Sequence, residues 1–201
     1  MSLWLLPHPL ILASKSPVRR AMLEAAGIPV EVMPADVEER VIEAQAGLDN
    51  PAGAAVLLAQ AKARAVAARR PGRLVLGADQ TLALDSRRFS KPADRAGARE
   101  QLVALRGKTH DLHSGIAVVR DLNVVYIGVE TARLTMRDFS DTFLDRYLDA
   151  AQEAVTTSVG GYQLERLGIH LFANIAGDHF TILGLPLLPL LTALRQHGVI
   201  A

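Results

Sequence analysis

Short apolar runs alternate with helix-period patterns along this chain. Leu10 to Ala13 is an apolar run of strand length, followed by Ser14-Lys15-Ser16-Pro17. Ser16 is a good N-cap and Pro17 suits the first helical position, so a helix is predicted from there to Gly27. Ile28 to Met33 reads as the next strand, giving a strand-helix-strand unit. Pro51 to Arg69 carries the longest helix signal, rich in alanine, with Val56, Leu57, Ala61 and Val66 assigned to one face. Leu74 to Ala78 reads as a fully apolar strand and Thr81 to Leu84 as a second, joined through Asp79-Gln80.

Asp94 to Leu105 is predicted as a helix that stops at Gly107. Two alternating segments follow, His110 to Val119 and Val124 to Met136, on either side of the turn-like Arg120-Asp121-Leu122-Asn123, which is a long hairpin signal. Ser140 caps a helix through Leu148. A glycine-containing stretch then leads to a last strand near His170 to Phe172, and Leu185 to His197 closes as a helix begun by Pro186. The alternation marks an α/β protein. With no repeat and no clean linker, residues 1–201 are expected to form one fold of two lobes.

Composition narrows the function classes. Half of the residues are hydrophobic and 21% are charged, which excludes a disordered chain. Lys and Arg total 22 against 21 for Asp and Glu, so no global field favours nucleic acid, and an anion site has to be a local cluster. The absence of cysteine removes disulfides, thiolate metal sites and cysteine nucleophiles. The apolar start, Met1 to Leu12, lacks a basic leader and is interrupted by Pro7, His8 and Pro9. No window reaches the roughly 20 apolar residues of a membrane span. A soluble, cytoplasmic protein is expected.

Several polar residues stand out against this background. Ser14, Ser16 and Arg19-Arg20 surround a predicted helix N-terminus, where free N–H groups and guanidinium donors suit phosphate oxygens. First-turn arginines oppose the helix dipole, so an anionic partner would explain them; an ordinary capped helix with solvated arginines is the alternative. Asp79 follows five residues of buried-type strand, and at a strand's carboxyl end a carboxylate serves either a turn or a metal and proton-handling site. Lys62, inside an alanine-rich helix, is solvated on the simplest reading. Carboxylates with lysines and arginines are what triphosphate hydrolysis uses, and no Walker A pattern occurs. His110 and His113 lie three apart on an alternating strand and point to opposite faces, a poor arrangement for a shared metal. Ser114 and Ser158 have no nucleophile-elbow context.

Taken in order, these segments resemble the Maf family, relatives of the septum-formation protein. The resemblance rests on Leu12-Ala13-Ser14-Lys15-Ser16-Pro17-Val18-Arg19, Asp36-Val37-Glu38-Glu39, Ala61-Lys62-Ala63, Gly77-Ala78-Asp79-Gln80, Lys91-Pro92 (with Ser90 where the family has glycine), Gly107-Lys108-Thr109-His110 and Gly184-Leu185-Pro186-Leu187. It implies an elongated mixed β-sheet flanked by helices, with two lobes about a central cleft, related to inosine-triphosphate pyrophosphatases. It also implies hydrolysis of a nucleoside triphosphate to the monophosphate and pyrophosphate. By the same resemblance, Asp79 is the proton acceptor and shares a divalent cation (Mg²⁺, Mn²⁺ or Co²⁺) with Glu39. Ser14, Ser16, Arg19, Lys62 and Lys91 then surround the triphosphate. Val18, Gln80 and Glu165 fall where the family tunes the base. Gln80 and Glu165 resemble the branch linked to 7-methyl-GTP, whereas Val18 lacks that branch's stacking aromatic.

The expectation is therefore a cytoplasmic, metal-dependent nucleotide house-cleaning hydrolase, commonly a homodimer in this family, with no nucleic-acid or membrane partner. The competing expectations are a dTTP/UTP-preferring enzyme of the same family and a non-catalytic nucleotide-binding regulator of septum formation.

Overall fold

The computed structural model describes residues 2–46 and 50–201. In chain order the strands are β1 (Leu10–Leu12), β2 (Val30–Val32), β3 (Leu74–Leu84), β4 (Arg87–Phe89), β5 (Thr109–Arg120), β6 (Asn123–Met136) and β7 (Phe172–Ala176). The helices are α1 (Pro17–Ala25), α2 (Glu39–Ala46), α3 (Pro51–Ala67), α4 (Arg95–Leu105), α5 (Asp141–Ala151), α6 (Ala154–Thr157), α7 (His179–Ile182) and α8 (Leu187–Gln196). The strands form a mixed sheet in the order β2-β1-β3-β5-β6-β7, with β4 paired to β3. β1 runs parallel to β2 and β3, while β3 with β4 and β6 with β7 are antiparallel.

The chain divides into two compact units. The first holds Met1–Gln80, His113–Glu130 and His179–Ala201; the second holds Thr81–Leu112 and Thr131–Asp178. Strands β3, β5 and β6 contribute residues to both.

In the first unit, strand alternation sends side chains to two separate cores. Leu10, Leu12, Leu74, Leu76, Ala78, Ile116 and Val118 pack with Met22 and Leu23 of α1 and Leu187, Leu190 and Leu194 of α8. Ile11, Ala13, Val75, Ala117 and Val119 pack with Ala59, Ala63, Val66 and Ala67 of α3. The buried face of α3 thus runs mostly through alanines, together with Leu58 and Val66; of the four residues assigned to one face, Val66 is buried, and Val56, Leu57 and Ala61 are only half-buried. Close approach is the reason. A Cβ on Gly77 would lie 2.0 Å from the Ala59 carbonyl oxygen, and one on Gly115 would lie 2.5 Å from the Ala55 carbonyl carbon. Small residues on both partners let helix and strand backbones touch at these two points, which leaves no room there for larger side chains.

In the second unit α4 packs on α5, with Ala98, Leu102 and Leu105 of one and Leu144, Tyr147 and Leu148 of the other buried. The predicted caps are present, Ser16 accepting from the Arg19 N–H and Ser140 from Phe143, and Asp94, read as a helical residue, is itself the cap of α4 and accepts from Gly97. The hairpin turn has positive φ at Asp121 (49°) and Leu122 (66°), the geometry that joins two right-twisted strands most directly. Three differences from the sequence reading matter. Leu74 to Ala78 and Thr81 to Leu84 are one strand, β3. Helix α2 follows the acidic segment, where none was predicted. The last strand begins at Phe172, because Leu167–Leu171 winds as a 3₁₀ helix.

Candidate active site

Asp79 lies inside β3, not at its end. The two polar residues that suggested a break keep the strand's alternation, and each finds its own partners on an opposite face. Val75, Gly77 and Asp79 share the face toward α3, and the close packing at Gly77 brings Lys62 of that helix over the carboxylate. Lys62 Nζ lies 2.5 Å from Asp79 Oδ1 and 2.7 Å from Glu39 Oε1. Lys62 is therefore no solvated lysine: its side chain is 13% exposed, and it bridges two carboxylates. Glu39 is the first residue of α2, where the helix dipole favours an acid.

Burial is the main influence on Asp79 and raises its carboxyl pKa, while Lys62 and Arg19 pull it down and Glu39 adds to the rise. The net effect is a carboxylate that holds a proton more readily than an exposed aspartate does. Burial likewise lowers the pKa of the Arg19 guanidinium, against the pull of Asp79 and Glu39.

Arg19 and Arg20 behave differently. Arg20 is exposed and pairs with Glu24 one turn along, at 2.7 Å. Arg19 turns inward and donates from Nε to the Gly184 carbonyl (2.8 Å), and from Nη1 to Ala78 O (2.7 Å) and Ser14 Oγ (3.2 Å). These acceptors account for its first-turn position without any anion. Ser14 Oγ also accepts from the Ser16 N–H, so the loop after β1 joins Ser14, Ser16 and Arg19. The fold thus brings together Ser14, Ser16 and Arg19, and separately Glu39, Lys62 and Asp79, with Arg19 electrostatically coupled to Asp79 and Glu39.

Gln80 faces the other side of β3. Its Nε2 donates to Ser114 Oγ (2.9 Å), Thr181 O (3.1 Å) and Ile182 O (3.0 Å). Val18 is half-buried against the core shared by α1 and α8. Lys91 and Glu165 belong to the second unit: Lys91 is exposed in the connection between β4 and α4, and Glu165 is exposed just beyond the buried Leu164.

Sequence reasoning passed over Thr181, named Gly184 only within a family motif, and gave Ser114 no role. Ser114 was weighed only as a nucleophile, whereas here it is a hydrogen-bond hub. It is fully buried, accepts from Gln80 and donates to Thr181 O at 2.7 Å. Gly184 carried a usable signal in Gly-Leu-Pro, since its positive φ (88°) needs glycine.

Among the described residues no group of three or more His, Cys, Asp or Glu side chains is placed to hold a metal ion. Asp79 and Glu39 supply carboxylate oxygens only. This donor set fits a hard divalent cation such as Mg²⁺, which commonly binds one or two protein carboxylates and completes its shell with water and substrate phosphates. It does not fit a metal that requires a full set of protein ligands.

The family model for Maf-like protein matches residues 9–197. The chain belongs to the Maf family. It is 54% identical over 201 residues, covering all of both chains, to a protein named nucleoside triphosphate pyrophosphatase from Rhodopseudomonas palustris strain BisB18. It is 55% identical, again over 201 residues and all of both chains, to a protein of the same name from Bradyrhizobium diazoefficiens. A third of that name, from Paramagnetospirillum magneticum, is 55% identical over 94% of this chain and 98% of its own. Two solved structures are more distant. A HAM1 protein from Coxiella burnetii is 19% identical, with a TM-score of 0.44 over 65% of this chain and 73% of that chain. A nucleoside-triphosphatase/dITP/XTP pyrophosphatase from Mycobacterium abscessus is 15% identical, with a TM-score of 0.43 over 94% of each.

Proposed function

We propose that this Maf-family chain hydrolyses the bond between the α- and β-phosphates of a nucleoside triphosphate, giving the monophosphate and pyrophosphate, with 7-methyl-GTP as its preferred substrate. The observation that carries the reaction is the Asp79 carboxylate, buried, raised in pKa and set against Lys62 and Arg19. Full-length relatives named nucleoside triphosphate pyrophosphatase support the reaction class.

Asp79 accepts a proton from water as the water oxygen bonds to the α-phosphorus. The bond from that phosphorus to the bridging oxygen breaks, and pyrophosphate leaves with the electron pair. A carboxyl pKa raised by burial makes Asp79 a stronger base than an exposed aspartate. Lys62 and Arg19 sit beside it as cations for phosphate oxygens, with Ser14 as a hydroxyl partner and Lys91 as a further cation. Asp79 and Glu39 would hold a divalent cation, whose role when bound is to neutralise phosphate charge. Lys62 holds both carboxylates in place and limits their mutual repulsion.

For the base, Glu165 offers a carboxylate that complements a cationic purine, with Gln80 and Val18 at the matching family positions. A cytoplasmic homodimer acting in nucleotide house-cleaning is part of the proposal. No helix among the described residues is long and apolar enough to cross a membrane.

Incubation with 7-methyl-GTP, GTP, dTTP, UTP, CTP and pseudo-UTP in the presence of Mn²⁺, followed by pyrophosphate assay, tests both parts. Release from several nucleotides with a 7-methyl-GTP optimum is expected. A dTTP or UTP optimum overturns the base assignment alone. Nucleotide binding without pyrophosphate release from any of them replaces the enzyme with a nucleotide-binding regulator.

A further inference from the structure

Behind the site, on the side of β3 away from Asp79, lies a buried relay that the reaction itself does not use. Ser114 on β5 is 0% exposed. Its hydroxyl donates to Thr181 O at 2.7 Å, so its lone pairs face Gln80 Nε2 at 2.9 Å. The same nitrogen donates to the Thr181 and Ile182 carbonyls. Two of these three acceptors are carbonyl oxygens, so the NH₂ end of the Gln80 amide must be the one facing them. Ser114 and Gln80 together therefore fix the end of α7 to the sheet. Two residues further on, the Gly184 carbonyl, on a backbone held at φ 88°, receives Arg19 Nε at 2.8 Å. A Cβ at Gly184 would stand 3.0 Å from Arg19 Nη2, so backbone and guanidinium are already in close contact.

We propose that Ser114 is a positioning residue: through the Thr181–Gly184 segment it sets the placement of the Arg19 guanidinium that meets the triphosphate. This rests on the reading of Arg19 as a phosphate-binding group. Ser114 touches no substrate in this scheme. Removing its hydroxyl leaves the Thr181 carbonyl with one donor fewer and lets the Gly184 carbonyl drift, which loosens one of the three acceptors that aim Arg19.

Inorganic tripolyphosphate carries the substrate's phosphate chain without a base, so its binding, measured by calorimetry with Mn²⁺, reports on Arg19 whether or not turnover occurs. Four proteins are compared: wild type, Ser114→Ala, Arg19→Lys and the double variant, each with its melting temperature. Loss of one buried hydrogen bond predicts about fivefold weaker binding for Ser114→Ala when Arg19 is present. When Arg19 is already lysine, less than about twofold is expected, because residues acting through one another are non-additive. Ser114→Thr, which restores the hydroxyl, should bind close to wild type. A structural role alone lowers the melting temperature in both backgrounds and weakens binding equally in both; that result overturns the proposal. Weakening in Arg19→Lys with none in Ser114→Ala overturns the Ser114 role and leaves Arg19 as a phosphate-binding group. No weakening in either removes both. Should Ser114→Ala fail to fold, Ser114→Cys keeps the volume with a weak donor, and the same cycle applies to it.

Discussion

Each unit buries a titratable group on a sheet strand, and the two groups meet opposite fates. In the first unit Asp79 is buried with Lys62 on it, Glu39 on the far side of that lysine, and Arg19 within electrostatic range. In the second unit His110 is 1% exposed, with Nε2 2.7 Å from the Tyr162 hydroxyl and the rings of Tyr162 and Phe172 alongside. Its Nδ1 is buried without a hydrogen-bond partner among the described residues. Burial pushes the imidazole down to about 4, and Asp111 opposes this only in part. Where burial comes with counter-charges, they oppose the loss of charge and chemistry is available. Where it comes with aromatic rings, the group stays neutral and serves packing.

The largest expected effect breaks the charged member of this pair. Asp79→Asn should lower pyrophosphate release on the order of 100-fold or more, the usual cost of losing a general base. Its effect on stability should be small or favourable. A carboxyl whose pKa is raised on folding disfavours the folded state once pH rises past its unfolded value and through its folded one. Asparagine removes that cost, and Glu39 still pairs with Lys62. At pH 8 the variant should melt at or above the wild-type temperature. Near-normal turnover would falsify the base assignment, and a large drop in melting temperature would show that the charge stabilises the fold.

How this contrast appears in the sequence is uneven. Ser16 and Ser140 announced their helices because capping is local, and β5 and β6 announced themselves by alternation over a dozen residues each. Asp79-Gln80 misled, since two polar residues in an apolar run look like a break. Only the partners supplied by α3 and α7 reveal a continuous strand. The face of α3 was misjudged in part for a related reason: Val66 is buried as expected, but Val56, Leu57 and Ala61 are not, because the close approach at Gly77 and Gly115 falls beside Ala59, Ala63 and Ala55. Lys62 read as solvated from its own helix, and its meaning came from the family resemblance. Ser114 was out of reach, because its donors and acceptors are 34 and 67 residues away.

The neutral member of the pair is broken by acid. His110 is held near pKa 4 in the folded chain against about 6.5 unfolded, so the unfolded chain binds its proton first as pH falls. Stability is lost progressively from about pH 6.5 down to about 4 and no further below that. His110→Gln lacks this proton. Between pH 7 and pH 4 the wild type should therefore lose on the order of 3 kcal/mol more than the variant, measured by urea unfolding at each pH. Equal losses would place the acid sensitivity elsewhere. At pH 8, where the histidine is neutral in both states, the two proteins should turn over substrate at comparable rates.

The smallest effect concerns two carboxylates that differ in what holds them. The Glu39 side chain is half exposed but tied to Lys62 at 2.7 Å, while Glu165 is exposed in the second unit. An exposed carboxylate attracts a cationic base through water, so its contribution is modest and screened by salt. Glu165→Gln should raise KM for 7-methyl-GTP about three- to fivefold relative to GTP, with kcat unchanged, and the difference should shrink as salt is added. On the proposed reaction, Glu39→Gln should instead lower turnover of both nucleotides by the same factor, since Glu39 is paired with Lys62 beside Asp79. A Glu165→Gln enzyme with an unchanged 7-methyl-GTP to GTP ratio would remove charge from the account of base choice. Val18 and Gln80 would then be the positions to vary.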